Sequence, residues 1–331
     1  VSQSIEVLDR LLRGPVRWRK APSDQGTKRR RPSLAEDLQT VARVTARTPE
    51  VMVRISGKAK GAKHVEEHLR YITRDGELSA EDESGRLVTG RRMVKETAAA
   101  WMEGSTLNRR NNSRDTVNVI LSMPPGTDRE KLLAAARQFG RETFGSDHSY
   151  LLVRHDDTDH PHCHLTVRSL AFSGRRLNPK RDDLQAWRVA FAAACRTHGI
   201  AAEATPRRAR GAVRKSKRQA VFHADNAKRS TVQKAKVQEA LMAVMRPSVA
   251  PLELDRAALE QNALVRADWN QLAEELSRAS AGKGQALAHQ IRRFLAEMPA
   301  AETERMQLQK QLRRHLQQQK EQEDAKPERT L

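Results

Sequence analysis

With 331 residues, a net charge of +20 and a pI near 10.6, the chain has room for one or two domains and carries far more cation than a neutral enzyme needs, which points to a polyanionic partner. Aromatic side chains make up only 4%, against a broad base-stacking platform of the single-strand-binding kind. Only Cys163 and Cys195 are present, too few for a disulfide framework, and the longest apolar run, about seven residues at 189–195, is too short to cross a bilayer, so a soluble cytoplasmic chain without a secretory leader is expected.

Residues 1–48 are polar and basic, with KRRRP at 28–32, and are expected to form a flexible arm that is either solvated or in contact with phosphate. VMVRIS (51–56) alternates as a strand does, and GKAKG turns the chain. AKHVEEHLRYITR (62–74) places Val65, Leu69 and Ile72 at helical spacing and stops at Asp75-Gly76; a second helix is expected over 91–104. TVNVILSMP (116–124) is a strand closed by Pro124, Pro125 and Gly126, after which Thr127 or Asp128 caps a helix running to about 144. SYLLVRH (149–155) and HCHLTVRSLAF (162–172) are strands about a short polar turn, hence a hairpin, and DLQAWRVAFAAACRTHG (183–199) is an amphipathic helix with a glycine stop. The hairpin favours an α+β fold over residues 49–205, a central antiparallel sheet with helices packed on it. Residues 206–331 read as a basic linker and helical tail. Twelve Lys/Arg face two Asp/Glu over 206–246, and the segments at 263–279, 285–298 and 304–324 have helical propensity, the last with Leu308, Leu312 and Leu316 on a narrow stripe.

HDDTDHPHCH (155–164) holds four of the eleven histidines and three aspartates. Successive strand residues point to opposite faces, so His162 and His164 share a face while Cys163 points away. If the hairpin closes, His155 reaches that face as a third nitrogen. Three protein ligands leave positions open, as a catalytic metal site requires. Neutral imidazole suits zinc, manganese, nickel or copper, so the ligands alone do not choose the ion. Asp157 or Asp159 could orient an imidazole through its N–H, although an exposed polar turn explains Asp159 and His160 equally well. Other chemistries fit worse. A metallo-β-lactamase-like hydrolase wants Asp-His where Leu165 and Thr166 stand, a two-histidine phosphoesterase needs a second His-x-Thr/Ser at a strand, and a zinc finger needs cysteines at ligand spacing.

Of the two tyrosines, Tyr150 sits in an apolar run and reads as core. Tyr71, in HLRYITRDG, is flanked by Arg70 and Arg74, cations that favour a phenolate, but spacing alone makes a structural role the better reading. Three blocks in order resemble the MobP-type conjugative relaxases of the His-hydrophobe-His endonuclease class, the T-DNA border endonucleases among them. They are VRISGKAKGAKHVEEHLRYITRDG (53–76), ILSMPPGTD (120–128) and HDDTDHPHCH, the last matching His-x-Asp-x-x-x-Pro-His-x-His at His155, Asp157, Pro161, His162 and His164. The resemblance covers roughly residues 50–210 and none of the tail.

This resemblance implies a relaxase fold with Tyr71 as nucleophile, Ser122 as a DNA contact, and His155, His162 and His164 around one divalent ion. Magnesium or manganese is expected in use, with zinc or nickel as alternatives, and His155 could instead be a proton acceptor. The reaction implied is transesterification at one phosphodiester of single-stranded DNA. It leaves a 3′-hydroxyl and a 5′-phosphotyrosine that a later 3′-hydroxyl can reverse. Asp157, His155 or a metal hydroxide could take the phenolic proton. Arg70 and Arg74, with the basic run holding Arg207, Arg208, Arg210 and Lys215, would bind phosphates. The DNA would be single-stranded or supercoiled, at the transfer origin of a plasmid or integrative element. An accessory DNA-binding protein, a coupling protein and a type IV secretion system would be partners, the covalent complex being exported without membrane insertion. Two rival readings are a rolling-circle initiator or transposase of the same chemistry, and a non-catalytic DNA-binding protein with a structural ion.

Overall fold

A computed structural model describes residues 2–13, 31–105, 113–211, 224–227, 229–245, 253–279 and 282–324. The chain divides into two compact units, one of residues 19–205 and one of residues 1–18 with 206–331. Where a flexible arm was expected over 1–48, the described residues form two helices, α1 (Ser2–Arg13) and α2 (Leu34–Thr45). Both have a physical cause that the charge had masked. Val7, Leu8 and Leu11 make a buried stripe on α1, and Val41 and Val44 do so on α2. Ser33 opens α2 with a capping box, its side chain accepting from the Glu36 N–H while the Glu36 carboxylate accepts from the Ser33 N–H.

The unit of residues 19–205 is built on β1 (Met52–Gly57), β2 (Ala80–Asp82), β3 (Leu87–Val88), β4 (Thr116–Ser122), β5 (Tyr150–His155) and β6 (His162–Arg168). They form one antiparallel sheet in the order β1-β4-β6-β5-β2-β3. Helices α3 (Ala62–Thr73), α4 (Gly90–Met102), α5 (Arg129–Thr143) and α6 (Arg181–Thr197) cover it, so the expected α+β architecture with a central antiparallel sheet holds. Strand alternation sends Val117, Val119, Leu121, Leu152, Cys163, Leu165 and Val167 into a core with Phe139 of α5 and Phe191 of α6. Leu151 and Val153 go to the other face, against Val65, Leu69 and Ile72 of α3 and Val94 and Ala98 of α4. Phe139, Phe144, Phe191 and Trp187 add edge-to-face contacts with centroids 5.1–5.9 Å apart. The same alternation fixes the site: His155 and His162 are directly paired, as are Val153 and His164, so all three histidines belong to the face that α3 covers.

Three strands differ from expectation. Strands β2 and β3 are too short to show a period, and β6 ends at Arg168 rather than 172 because Leu170 turns back to bridge Arg176.

Helix α3 ends abruptly. Arg74 and Asp75 take positive φ of 49° and 56°, and Gly76 follows at 93° with its carbonyl accepting from the Gly90 N–H at 2.9 Å. A Cβ on Gly76 would lie 2.3 Å from the Gly90 carbonyl carbon and 2.6 Å from the Arg91 nitrogen, both backbone atoms. Gly76→Ala is therefore expected to cost more than the roughly 1–3 kcal/mol of the strained dihedral alone. A denaturant melt should show this loss; a stability equal to wild type would mean that the α3–α4 connection is soft.

In the other unit, α7 (Thr231–Met245) lies against α10 (Glu304–Asp324), and α8 (Glu253–Ala279) lies against α9 (Lys283–Ala296) and α1. The expected basic linker thus contains the helix α7. Half-buried Leu308 and Leu312 belong to the α10 stripe, while Leu316 is exposed. Trp269 anchors this unit: it is fully buried, donates Nε1–H to the Ala209 carbonyl at 2.7 Å and meets Phe294 edge-on at 5.4 Å. No helix among the described residues is long and apolar enough to cross a membrane.

Candidate active site

Val65, Leu69 and Ile72 pin α3 to the sheet, which turns Tyr71 outward at 70% exposure. The left-handed Arg74 that stops the helix costs roughly 1–2 kcal/mol in backbone conformation. It aims the guanidinium across to the β5–β6 turn, where Nη2 meets Asp157 Oδ2 at 2.7 Å. Arg70 pairs with Asp75 at 2.6 Å and Arg91 approaches the same carboxylate at 3.5 Å, holding the Asp75 carboxyl below the usual range. Tyr71, Glu67, Arg70, Arg74, Asp75, His155 and Asp157 line one cleft of about 640 Å³.

The three histidines meet at the end of the β5–β6 hairpin. Their ring centroids lie 4.3 Å (His155–His164), 5.3 Å (His162–His164) and 5.4 Å (His155–His162) apart, and one ligand nitrogen from each falls within 4.8 Å of the others. Hydrogen bonds decide which nitrogen each can offer. His155 Nε2 sits 2.6 Å from the Ile72 carbonyl, an oxygen that only accepts, so Nε2 carries the hydrogen and Nδ1 keeps its lone pair. His162 Nδ1 is 3.0 Å from the His160 carbonyl and must donate likewise, which leaves Nε2 bare. His164 is buried, and desolvation with the neighbouring rings lowers its pKa to about 3, so its imidazole is neutral. Burial lowers His155 as well, against the hydrogen bond it donates to the Ile72 carbonyl. Three imidazoles that can each offer a nitrogen to one point fit a divalent transition metal, and the outer hydrogen bonds of His155 and His162 are of the kind that orient metal ligands.

The structure therefore brings together Tyr71, Asp157, His155, Arg70 and Arg74, with His162 and His164 beside them. Asp157 is tied to Arg74, and its Oδ1 lies 4.0 Å from His162 Nε2. Asp159 and His160 are exposed turn residues. Tyr150 is core as expected, and burial pushes its phenol up to about 12. Ser122 was expected to contact DNA. It pairs with His162 across the sheet but is buried at 3% exposure, its hydroxyl turned to the Met123 carbonyl at 3.4 Å. In the basic run Arg207 is exposed, whereas Arg208 is half-buried with a hydrogen bond to the Arg10 carbonyl and Arg210 is half-buried beside buried Ala209. Lys215 lies outside the described residues, as do residues 28–30.

Sequence reasoning missed two ties between the tyrosine helix and the histidine strands. One is the Ile72 carbonyl, a backbone group without a sequence signature. The other is His68, one turn before Tyr71, whose Nε2 is 3.0 Å from Thr166 Oγ1 on β6 and whose burial lowers its pKa to about 4. Its position three residues before the tyrosine was the available signal.

Residues 71–200 match the family model "Relaxase: MobA/VirD2-like, nuclease domain". The T-DNA border endonuclease VirD2 of Rhizobium radiobacter is 26% identical over 209 residues, covering 57% of this chain and 48% of that protein. VirD2 of Agrobacterium fabrum is 28% identical over 182 residues, covering 49% and 41%. The chain thus spans less than half the length of either relative. A solved structure, "Molecular Basis of Vancomycin Resistance Transfer in Staphylococcus aureus", overlaps 48% of this chain and 99% of its own at 12% identity and a TM-score of 0.33, too loose a match to bear on the fold.

Proposed function

We propose, from the premise that residues 71–200 are a MobA/VirD2-like relaxase nuclease domain, that this chain is a DNA relaxase which cuts and rejoins one strand through Tyr71. The observation that carries the reading is the shared cleft: an exposed phenol, three carboxylates (Asp157 among them), two guanidinium groups and one ring of the histidine triad open onto a single volume. Arg70 and Arg74 attract the phosphodiester into it. As the strand enters, the Tyr71 oxygen attacks phosphorus, the new O–P bond forming while the bond from phosphorus to the 3′-oxygen breaks. The phenolic proton passes to Asp157, and the departing oxygen takes a proton from solvent to leave as a 3′-hydroxyl. His155 is the weaker acceptor, because its Nε2–H is held by Ile72 and its Nδ1 belongs to the triad.

A divalent ion held by His155, His162 and His164 would, when bound, supply positive charge against a non-bridging phosphate oxygen. Manganese or magnesium is the working ion in this reading, with zinc or nickel able to occupy the same nitrogens. Because the phosphotyrosine keeps the bond energy, an incoming 3′-hydroxyl reverses the step. The target is single-stranded DNA at a transfer origin, reached in supercoiled DNA with an accessory DNA-binding protein. The covalent complex is then handed to a coupling protein and a type IV secretion system. Likeness to T-DNA border endonucleases supports a DNA substrate of this kind.

The test uses the full chain with Mn²⁺ and single-stranded oligonucleotides tiling inverted repeats beside the gene. A protein–DNA adduct that survives denaturation is expected with one of them. Chelation should stop adduct formation while leaving most of the salt-sensitive binding. Binding to every oligonucleotide with no adduct would favour a non-catalytic DNA-binding protein.

A further inference from the structure

The turn of residues 156–161 is mostly exposed, yet it carries Asp157 and delivers His162 to the triad. It is tied down from outside by Arg129, the first residue of α5. Nη1 donates to Asp156 Oδ1 at 2.9 Å and Nη2 donates to the Thr158 carbonyl at 2.9 Å. Arg154, next to His155 in the chain, reinforces the same point, pairing with Asp156 Oδ2 at 3.0 Å and with Glu130 of α5. From Thr158 the bonds continue inward. Its hydroxyl donates to the His160 carbonyl at 2.8 Å, and that oxygen is the one that accepts His162 Nδ1–H at 3.0 Å.

Arg129 does little for its own helix. A cation in the first turn opposes the helix dipole. The cap is already made by Asp128, whose carboxylate accepts from the Glu130 and Lys131 N–H groups. Both arms of the guanidinium run to the turn instead, where a planar fork can span two acceptors that an ammonium cannot hold together.

We propose that Arg129 is a positioning residue of the metal site: by bridging Asp156 and the Thr158 carbonyl, it holds the His160 carbonyl that keeps His162 protonated on Nδ1 with Nε2 turned to the other two rings. This rests on the reading of the triad given above. Loss of a partner that orients a ligand weakens metal affinity by about 10–100-fold. Arg129→Ala should accordingly bind Mn²⁺ on the order of 10-fold more weakly in calorimetry of the full chain. Arg129→Lys should resemble Arg129→Ala, since it keeps the charge and loses the bridge. Thr158→Ser should keep wild-type affinity and Thr158→Val should lose it. In ¹⁵N spectra of the metal-free chain, His162 should be protonated at Nδ1 in wild type and mixed between nitrogens in Arg129→Ala, a change that a general loss of stability would not produce.

Wild-type affinity in Arg129→Ala or in Arg129→Lys would overturn this inference alone. Absence of Mn²⁺ binding in the wild type would overturn the metal-site reading and this inference together.

Discussion

Tyr71→Phe is expected to abolish the denaturation-resistant adduct while single-stranded DNA binding and thermal stability stay at wild-type levels. The substitution removes one oxygen from a side chain that is 70% exposed, so no core contact is lost and no buried group is left unpaired. Arg70 and Arg74 remain to hold phosphate, which is why binding should survive. The rate of strand cleavage should fall by on the order of 10⁴-fold or more, as when a nucleophile is removed from an intact site. Tyr150→Phe is the matching control. Tyr150 is 4% exposed in the core on the far face of the sheet, with its phenol pushed up to about 12, so it should leave the adduct untouched. Adduct formation by Tyr71→Phe, read by gel after denaturation, would move the nucleophile elsewhere.

His164→Ala should be as damaging by a different route. His164 closes the triangle of rings, 4.3 Å from His155 and 5.3 Å from His162, and burial keeps it neutral at any working pH because its pKa falls to about 3. Its loss leaves two imidazoles, too few to hold an ion against water, so Mn²⁺ affinity should fall beyond the roughly 10–100-fold that a supporting residue costs. The adduct should vanish at Mn²⁺ concentrations that saturate the wild type, while DNA binding persists. The cavity left behind is small and polar, and the chain should still melt cooperatively. If His164→Ala bound Mn²⁺ as tightly as wild type, the triad would not be the metal site.

Much of this site was legible because two periods coincide in the sequence. The alternation in VILS, LLVR and HCHLTV set which side chains share a face, and the resulting register pairs His155 with His162 and puts Cys163 in the opposite core. The helix over 62–74 and its stop at Asp75-Gly76 were likewise visible, since Val65, Leu69 and Ile72 define one buried stripe. Pairing between distant segments was not legible. Ser122 matched a motif, but only the neighbouring strands β1 and β6 bury it. Strands β2 and β3 have two or three residues each and exist because β5 offers β2 an edge and β2 in turn offers one to β3. Helices α1 and α2 were hidden behind charge, which reports solvent-facing positions and says nothing of a narrow apolar stripe beneath. Arg129 sits in an ordinary polar stretch, and its reach to Asp156 and Thr158 appears only once α5 is folded back on the hairpin.

One imidazole serves two masters. His155 gives a hydrogen to the carbonyl next to the tyrosine and a lone pair to the triad, so the two bonds share a single conjugated ring. Were a cation to draw electron density from one nitrogen, the hydrogen on the other would become more acidic and its grip on Ile72 firmer. Filling the triad would in this way brace the backbone beneath Tyr71, coupling readiness of the electrophilic side to steadiness of the attacking one without any moving part.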